Sequence, residues 1–322
     1  MRERWQRGSA EIALKPAQIA DLLAPIFPRA VVRRFERVRG GLVNTNLRVV
    51  LQNRSDAVLL RIYQRNVEQG LKEAALIRRM VGRVPVPRLL YAAERNSVTG
   101  HPYAVMHWVD GRRLDMLPLD DTDLDSAARA IGKALALVHA VKFERFGFLG
   151  ADLKIARPID FDRRGLLAYL EHSFAAGPGP ARLGEDLVAE LAAFVEREGD
   201  RIASWPGSPC LAHGDCNGSN FLLRRGREGW ELAALLDWEF ALSATPGFDL
   251  AHFLRPPIAR HVRFVEAVAA SYRDAGAKLP QDWRRAAQVT DLFAWIDILS
   301  RPDADPGVID DARACVRTII AA

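Results

Sequence analysis

The stretch CLAHGDCNGSNFLLRRGREGWELAALLDWEFA, residues 210–241, gathers the polar side chains best suited to chemistry. Two apolar runs, 221–223 and 232–236, flank RRGREG, whose Gly226 and Gly229 are free to take positive φ. The pattern predicts a hairpin with its midpoint near Glu228. Asn220 and Asp237 flank the two strands at nearly equal distance from that turn, so they meet at its open end. A carboxylate beside a carboxamide oxygen suits a hard cation such as Mg2+, which takes one or two protein carboxylates and fills its other positions with water and phosphate. His213-Gly214-Asp215 lies just upstream, with Asp215 five residues before Asn220. A carboxylate left off the metal can accept a hydroxyl proton. Base, amide ligand and carboxylate ligand together are the parts needed to move the γ-phosphoryl group of ATP.

These groups need two kinds of support. The first ~110 residues read as mixed strands and helices. Residues 12–27 form an amphipathic helix (Ile12, Ile19, Leu22, Leu23, Ile26) closed by Pro28. Apolar runs at 31–38, 46–52 and 57–63, separated by turns at 39–46 and 53–56, make an antiparallel meander. A helix over 67–81 follows, then strands near 88–92 and 103–109 joined by a turn at 96–100. Beyond Gly111 the periodicity is helical: 123–141, 163–175, 184–204 and most of 258–320. GPGPARLG, 177–184, reads as a loop, and one compact β segment at 210–240 interrupts the helices. The expected fold is α+β and bilobed. Residues 1–110 form a five-strand antiparallel lobe, 106–111 a hinge, and 111–322 a mostly helical lobe.

HGDCNGSN resembles the catalytic loop of the aminoglycoside phosphotransferase and choline kinase superfamily, whose pattern is His-Gly-Asp, four residues, Asn. LLDWE resembles that family's second metal motif, which stands where protein kinases carry Asp-Phe-Gly. The interval between them fits, as does the later FDLAHFL, where Asp249 matches a buried aspartate that braces the catalytic loop. The resemblance implies a protein-kinase-like fold, Mg2+ and ATP (or GTP) as cofactors, and a hydroxyl of a small molecule as acceptor. It implies Asp215 as catalytic base, Asn220 and Asp237 as magnesium ligands, His213 as a hydrogen-bonding orienter of the loop, and Asp249 as structural support.

In the first lobe such enzymes hold a cation over the phosphates, tethered by a helical glutamate. Lys15 and Lys72 are the only lysines before position 133, and neither lies on the third strand. Arg61, in AVLLRIY, does, and many members of the superfamily carry arginine there. Arg61 paired with Glu73 is therefore expected, its planar fork suited to phosphate oxygens. Gly40, Gly41, Asn44 and Thr45 form the candidate phosphate loop, which lacks GxGxxG. Residues 103–111 resemble the adenine-binding hinge, with backbone around Met106, His107 and Trp108 receiving the base. The helical insert at 141–205 and the C-terminal helices resemble a lid and floor for a small substrate.

Composition sets the outer bounds. At 322 residues the chain exceeds what one core usually holds. No apolar run approaches the roughly 18–20 residues of a membrane helix, and the charged opening residues do not make a signal peptide. Three cysteines without CxxC spacing point to a reducing cytoplasm. The net charge is +5 and the pI about 9.3. Residues 1–110 hold 19 Lys plus Arg against 9 Asp plus Glu, and the rest 26 against 31. Scattered arginines without interleaved aromatics give no case for a nucleic-acid partner; oligomeric state is not readable.

Other classes fit less well. Seven histidines from His101 to His261, without HxH or HExxH, disfavour a binuclear hydrolase. His-Gly-Asp in place of His-Arg-Asp, and no Ala-Pro-Glu after Asp237, disfavour a protein kinase. A nucleotide-binding scaffold would have lost the base or a metal ligand, and all three are present. The acceptor stays open between an aminoglycoside-type antibiotic, a macrolide, and a metabolite such as an amino alcohol, sugar or homoserine-like compound; antibiotic resistance rests on resemblance alone. Asp282, Asp291, Asp297, Asp303, Asp305, Asp310 and Asp311 hint at a polycation, but six basic residues in 278–322 offset them. Cys216 and His139 read as packing residues.

Overall fold

The computed structural model describes residues 12–38, 43–118, 124–175 and 177–322. Helix α1 (Pro16–Leu23) opens on a proline and buries Ile19, Leu22 and Leu23. It is shorter than the 12–27 span predicted. Strands β1 (Val32–Arg37), β2 (Thr45–Leu51) and β3 (Ala57–Ile62) form the expected meander. β2 alternates strictly, burying Thr45, Leu47, Val49 and Leu51, because successive side chains in a strand face opposite sides. Helix α2 (Val67–Met80) starts at Asn66, whose side chain accepts from the Glu68 amide. β4 (Leu89–Ala93) and β5 (Tyr103–His107) complete an antiparallel sheet of order β1-β2-β3-β5-β4.

The remaining chain is mostly helical, with short strands between. In order come β6 (Arg112–Arg113), α3 (Leu124–His139), β7 (Gly147–Leu149), β8 (Ile155–Pro158), α4 (Arg163–Ala175), α5 (Gly179–Leu183) and α6 (Glu185–Glu198). Then follow β9 (Cys210–Ala212), β10 (Phe221–Gly226), β11 (Gly229–Leu235), β12 (Leu242–Ala244), α7 (Pro246–Leu250), α8 (Val262–Asp274), α9 (Trp283–Ser300) and α10 (Pro306–Ala321). The predicted hairpin is present, with Phe221 opposite Leu235 and Gly226 opposite Gly229 across a two-residue turn.

Two expectations need correction. The 177–184 segment carries helix α5 and is not a plain loop. The β segment at 210–240 is not alone, since β7, β8, β9 and β12 form a four-stranded sheet and β6 pairs with β10. Each of the overlooked strands has two to four residues, too few for a period of two to stand out.

Three cores form. One lies between α1 and the N-terminal sheet. A second joins the β10–β11 hairpin to α3 and α8, through residues such as Leu135, Phe221, Trp238 and Tyr272. A third joins α4, α6, α9 and α10, around Phe161, Phe194 and Trp295.

Candidate active site

β9 delivers His213, Gly214 and Asp215 to the end of its sheet. Gly214 has φ 82°, and a Cβ there would stand 2.3 Å from the Phe240 carbonyl oxygen. Only glycine fits that turn. Asp249, on α7, has no solvent exposure. It accepts the His213 amide at 2.7 Å and the Gly214 amide at 2.9 Å. His139 Nε2 lies 3.0 Å from the same carboxylate, and His139 Nδ1 lies 2.8 Å from the Tyr272 hydroxyl. Burial alone pushes the Asp249 carboxyl up, but the hydrogen bond and charge of His139, then His213 and the Gly214 amide, bring it down to about 2. His139 is thus more than packing: through Asp249 it ties α3 to the His213–Asp215 loop. His213 Nε2 lies 2.8 Å from the Leu236 carbonyl, joining the loop to the hairpin's end.

A folded carboxyl held below its unfolded value stabilises above that value and loses the effect as pH falls. The Asp249 contribution is therefore full above pH 3.8 and fades toward about 2. Asp249→Ala should lower stability at pH 7 by about 3–5 kcal/mol, the scale for removing one partner of a buried charged network. Urea unfolding of parent and variant measures it.

At the hairpin's open end the Leu236 amide donates to the Asn220 carbonyl at 2.9 Å. Asp237 follows in the left-handed region, φ 65° and ψ 66°, uncommon for a residue with a Cβ. Asn220 Nδ2 donates to the Asp215 carbonyl at 2.7 Å and to Asp215 Oδ2 at 2.9 Å. Asn217 Nδ2 donates to Asp215 Oδ1. Asn217 was not singled out in sequence, although it sits inside the loop motif.

Arg61 is buried on β3 at 6% exposure. Its guanidinium lies 2.5 Å from Asp237 Oδ1, 3.3 Å from Glu73 Oε2 and 3.5 Å from Glu239 Oε2. The Arg61–Glu73 pair is present, as anticipated, within a larger cluster. Burial opposes the guanidinium charge, and Asp237 and Glu73 more than offset it, so Arg61 holds its proton more firmly than usual. The Tyr63 hydroxyl and the Trp238 amide both donate to Glu73. Burial raises the Glu73 carboxyl, with Arg61 pulling it back. Glu239 is pushed up to about 7 by burial and the Asp237 charge. Its Oε2 accepts Asn44 Nδ2 at 2.8 Å. Lys72 donates to the Ala241 carbonyl at 3.1 Å, and burial brings its ammonium down to about 8.

Glu239 and Lys72 escaped the sequence reading. Glu239 stood in LLDWE without a role, and Lys72 was set aside for lying on a helix; α2 packs over the Trp238–Phe240 turn and brings both into the cluster.

The other expected residues fall as follows. Gly40 and Gly41 lie outside the described residues. Asn44 and Thr45 are buried at the start of β2, with Thr45 donating to Gln64 at 2.6 Å. Met106 is buried on β5 between Leu59 and Leu89. The His107 and Trp108 amides donate to the Arg88 and Ala57 carbonyls, at 2.9 and 3.1 Å, and so are engaged within the sheet.

A cavity of about 400 Å³ opens between the sheet and the helical part. Asn44, Arg61, Lys72, Asp215, Asp237 and Glu239 line one end of it. Among the described residues no group of three His, Cys, Asp or Glu side chains is placed to hold a metal. One carboxylate and one carboxamide oxygen beside a solvent-accessible cavity fit Mg2+, which keeps waters and phosphate in its shell, better than an all-protein cage. With its nitrogen toward Asp215, Asn220 turns its amide oxygen away from that carboxylate.

The profile of the phosphotransferase enzyme family matches residues 34–289. No curated protein sequence matches the chain. Among solved structures, aminoglycoside phosphotransferase APH(4)-Ia is similar at TM-score 0.71 and 16% identity, covering 95% of this chain and 99% of that one. An aminoglycoside 2'-phosphotransferase IIIa, solved with GDP, aligns at TM-score 0.68 and 19% identity, covering 95% and 98%. Macrolide 2'-phosphotransferase MphH from Brachybacterium faecium aligns at TM-score 0.66 and 17% identity, covering 92% and 97%. The fold is therefore the α+β, protein-kinase-like one expected, an antiparallel sheet followed by a helical part. With most of its length inside the profile and the motif residues gathered at one cavity, the chain belongs to the phosphotransferase enzyme family.

Proposed function

We propose that this protein is an ATP-dependent kinase that places the γ-phosphoryl group on a hydroxyl of a small molecule. Residues 1–110 form its nucleotide lobe, 106–111 the hinge, and 111–322 the catalytic and acceptor lobe. The carrying observation is the convergence of Asp215 and Asn217 with Asp237 and Arg61 on one cavity, with Asn220 hydrogen-bonded to Asp215. A relative seen with AMP-PNP and hygromycin B, and another seen with GDP, support a nucleoside triphosphate here, ATP first and GTP as the alternative.

In this reading Asp215 takes the acceptor proton as the acceptor oxygen bonds to the γ-phosphorus and the bond to the bridging oxygen breaks. Asn220 and Asp237 would hold Mg2+, which when bound would neutralise charge on the phosphate oxygens. Asn217 and Asn220 fix the base. Arg61 and Lys72 supply positive charge at the phosphate end, with Asn44 lining the same cavity. His213 and Asp249 hold the loop in register. The cysteines are free and buried, which suits a reducing cytoplasm, and among the described residues no helix is long and apolar enough to cross a membrane.

The test is calorimetric titration with MgATP. The parent protein binds it, and Asp237→Ala weakens binding roughly 10–100-fold, the scale for disturbing a metal's ligand surroundings. Unchanged affinity would remove Asp237 from the metal site. No nucleotide binding by the parent overturns the kinase reading.

A further inference from the structure

The cavity's two ends differ in chemistry. Away from Arg61 it is lined by Phe148 on β7, Ile159 and Phe161 ahead of α4, Phe248 on α7, and Phe293 and Ile298 on α9. The Phe161 and Phe293 ring centroids are 4.6 Å apart, and those of Phe161 and Phe248 5.9 Å, so the rings make one continuous apolar surface. Phe161, Phe248 and Phe293 are buried and back this surface. Phe148, Ile159 and Ile298 are half-buried and offer open area.

Charge at this end runs against a polycation. Of the acidic side chains lining the cavity among the described residues, Asp215, Asp237 and Glu239 belong to the transfer end, and Asp297 is the one at the apolar end. Asp297 already accepts the Tyr169 hydroxyl at 3.2 Å and Arg301 Nε at 2.9 Å. Arg65, Arg255 and Arg301 line the same region. His252 also lines it, and burial with the Arg255 charge lowers its imidazole to about 4, so it adds no negative partner and no positive charge at neutral pH.

The other C-terminal aspartates face other tasks. Asp282 pairs with Arg201 at 2.8 Å, Asp291 with Arg255 at 2.5 Å and Asp303 with Arg65 at 3.8 Å, while Asp305 caps α10. A ligand ammonium at this end would lose its water without gaining a free carboxylate, which is unfavourable. An apolar ring would gain from leaving water.

Resting on the kinase reading, we propose that the acceptor is a ring-bearing apolar alcohol, uncharged or acidic, whose body lies against Phe148, Phe161, Phe248 and Phe293 with its hydroxyl at Asp215. Polyamino sugars are excluded by the same wall.

The test measures phosphate transfer from radiolabelled ATP to four probes. Menthol and chloramphenicol are neutral ring-bearing alcohols, tropic acid is an acidic one, and kanamycin is a polycation. Tm with each probe is recorded in the presence of Mg2+ and AMP-PNP. The expected result is transfer to a neutral or acidic probe with kcat/KM at least about tenfold above kanamycin. Ile298→Asp, which puts a carboxylate on the wall, should shift that ratio about tenfold toward kanamycin. Arg301→Glu, which reverses a charge lining the same cavity, provides the same test should Ile298→Asp fail to fold. Preference for kanamycin overturns the proposal, as does neither transfer nor a Tm rise with the three apolar probes. Both outcomes, with MgATP bound, leave the kinase reading standing. Failure to bind MgATP removes that reading first.

Discussion

Asp215→Asn lowers kcat by about 10²–10⁴ and leaves MgATP affinity close to that of the parent, because the change removes a general base and little else. The side chain keeps its shape, and Asn217 and Asn220 still flank it. Arg61, the buried cation at the phosphate end, is bonded to Asp237 and not to Asp215. Single-turnover phosphoryl transfer separates chemistry from binding, and the loss should appear in the transfer step. Transfer at the parent rate would assign the proton to another group.

Arg61→Leu has an expected effect on stability as large as that of Asp249→Ala. One guanidinium faces Glu73, Asp237 and Glu239, two of them nearly fully buried. Taking it away leaves these carboxylates with Lys72 as the remaining nearby counter-charge, two of them in buried positions. The expected loss is about 3–5 kcal/mol at pH 7, read by urea unfolding. The loss should shrink on acidification. Glu239 already titrates near 7 in the folded protein against 4.5 unfolded. A raised folded pKa stabilises below the unfolded value and loses that effect as pH rises through the folded one. Without Arg61 the carboxylates rise further, so the variant is least stable above neutrality and recovers toward pH 5. Arg61→Lys keeps the charge and loses the planar fork, and should fall between parent and Leu variant. Equal stability of parent and Leu variant at pH 7 would show that the cluster is neutral without the arginine.

Much of this was legible in residue order. The five N-terminal strands, α2, α3 and the hairpin carry long periodic patterns, and two glycines mark the hairpin turn. The transfer motif is local: Asp215 to Asp237 spans 23 residues, so turn chemistry alone brings its parts together. Contacts that close over long separations were not legible. Asn44 meets Glu239 across 195 positions, and His139 meets Asp249 across 110. Nothing local tells a histidine on an apolar stripe that its partner is a buried carboxylate. Lys72 is a related case: its helix was read correctly, but which side of the helix meets the Asp-Trp-Glu turn is decided by packing. The partners of the C-terminal aspartates were not legible either, since most of these side chains pair with arginines distant in sequence or cap a helix.

The second and third cores have no buried residue in common. The hairpin carrying Asn220 and Asp237 is embedded in the one, and most of the phenylalanine wall in the other. Substitutions in elements that share no packing tend to add independently. Such a layout lets the chain be retargeted: changes on α4, whose buried apolar residues all lie in the third core, can exchange one acceptor for another while the residues positioned by α3, α8 and the hairpin keep their alignment. Diversification of acceptors over a fixed reaction is then a property of where the cores divide.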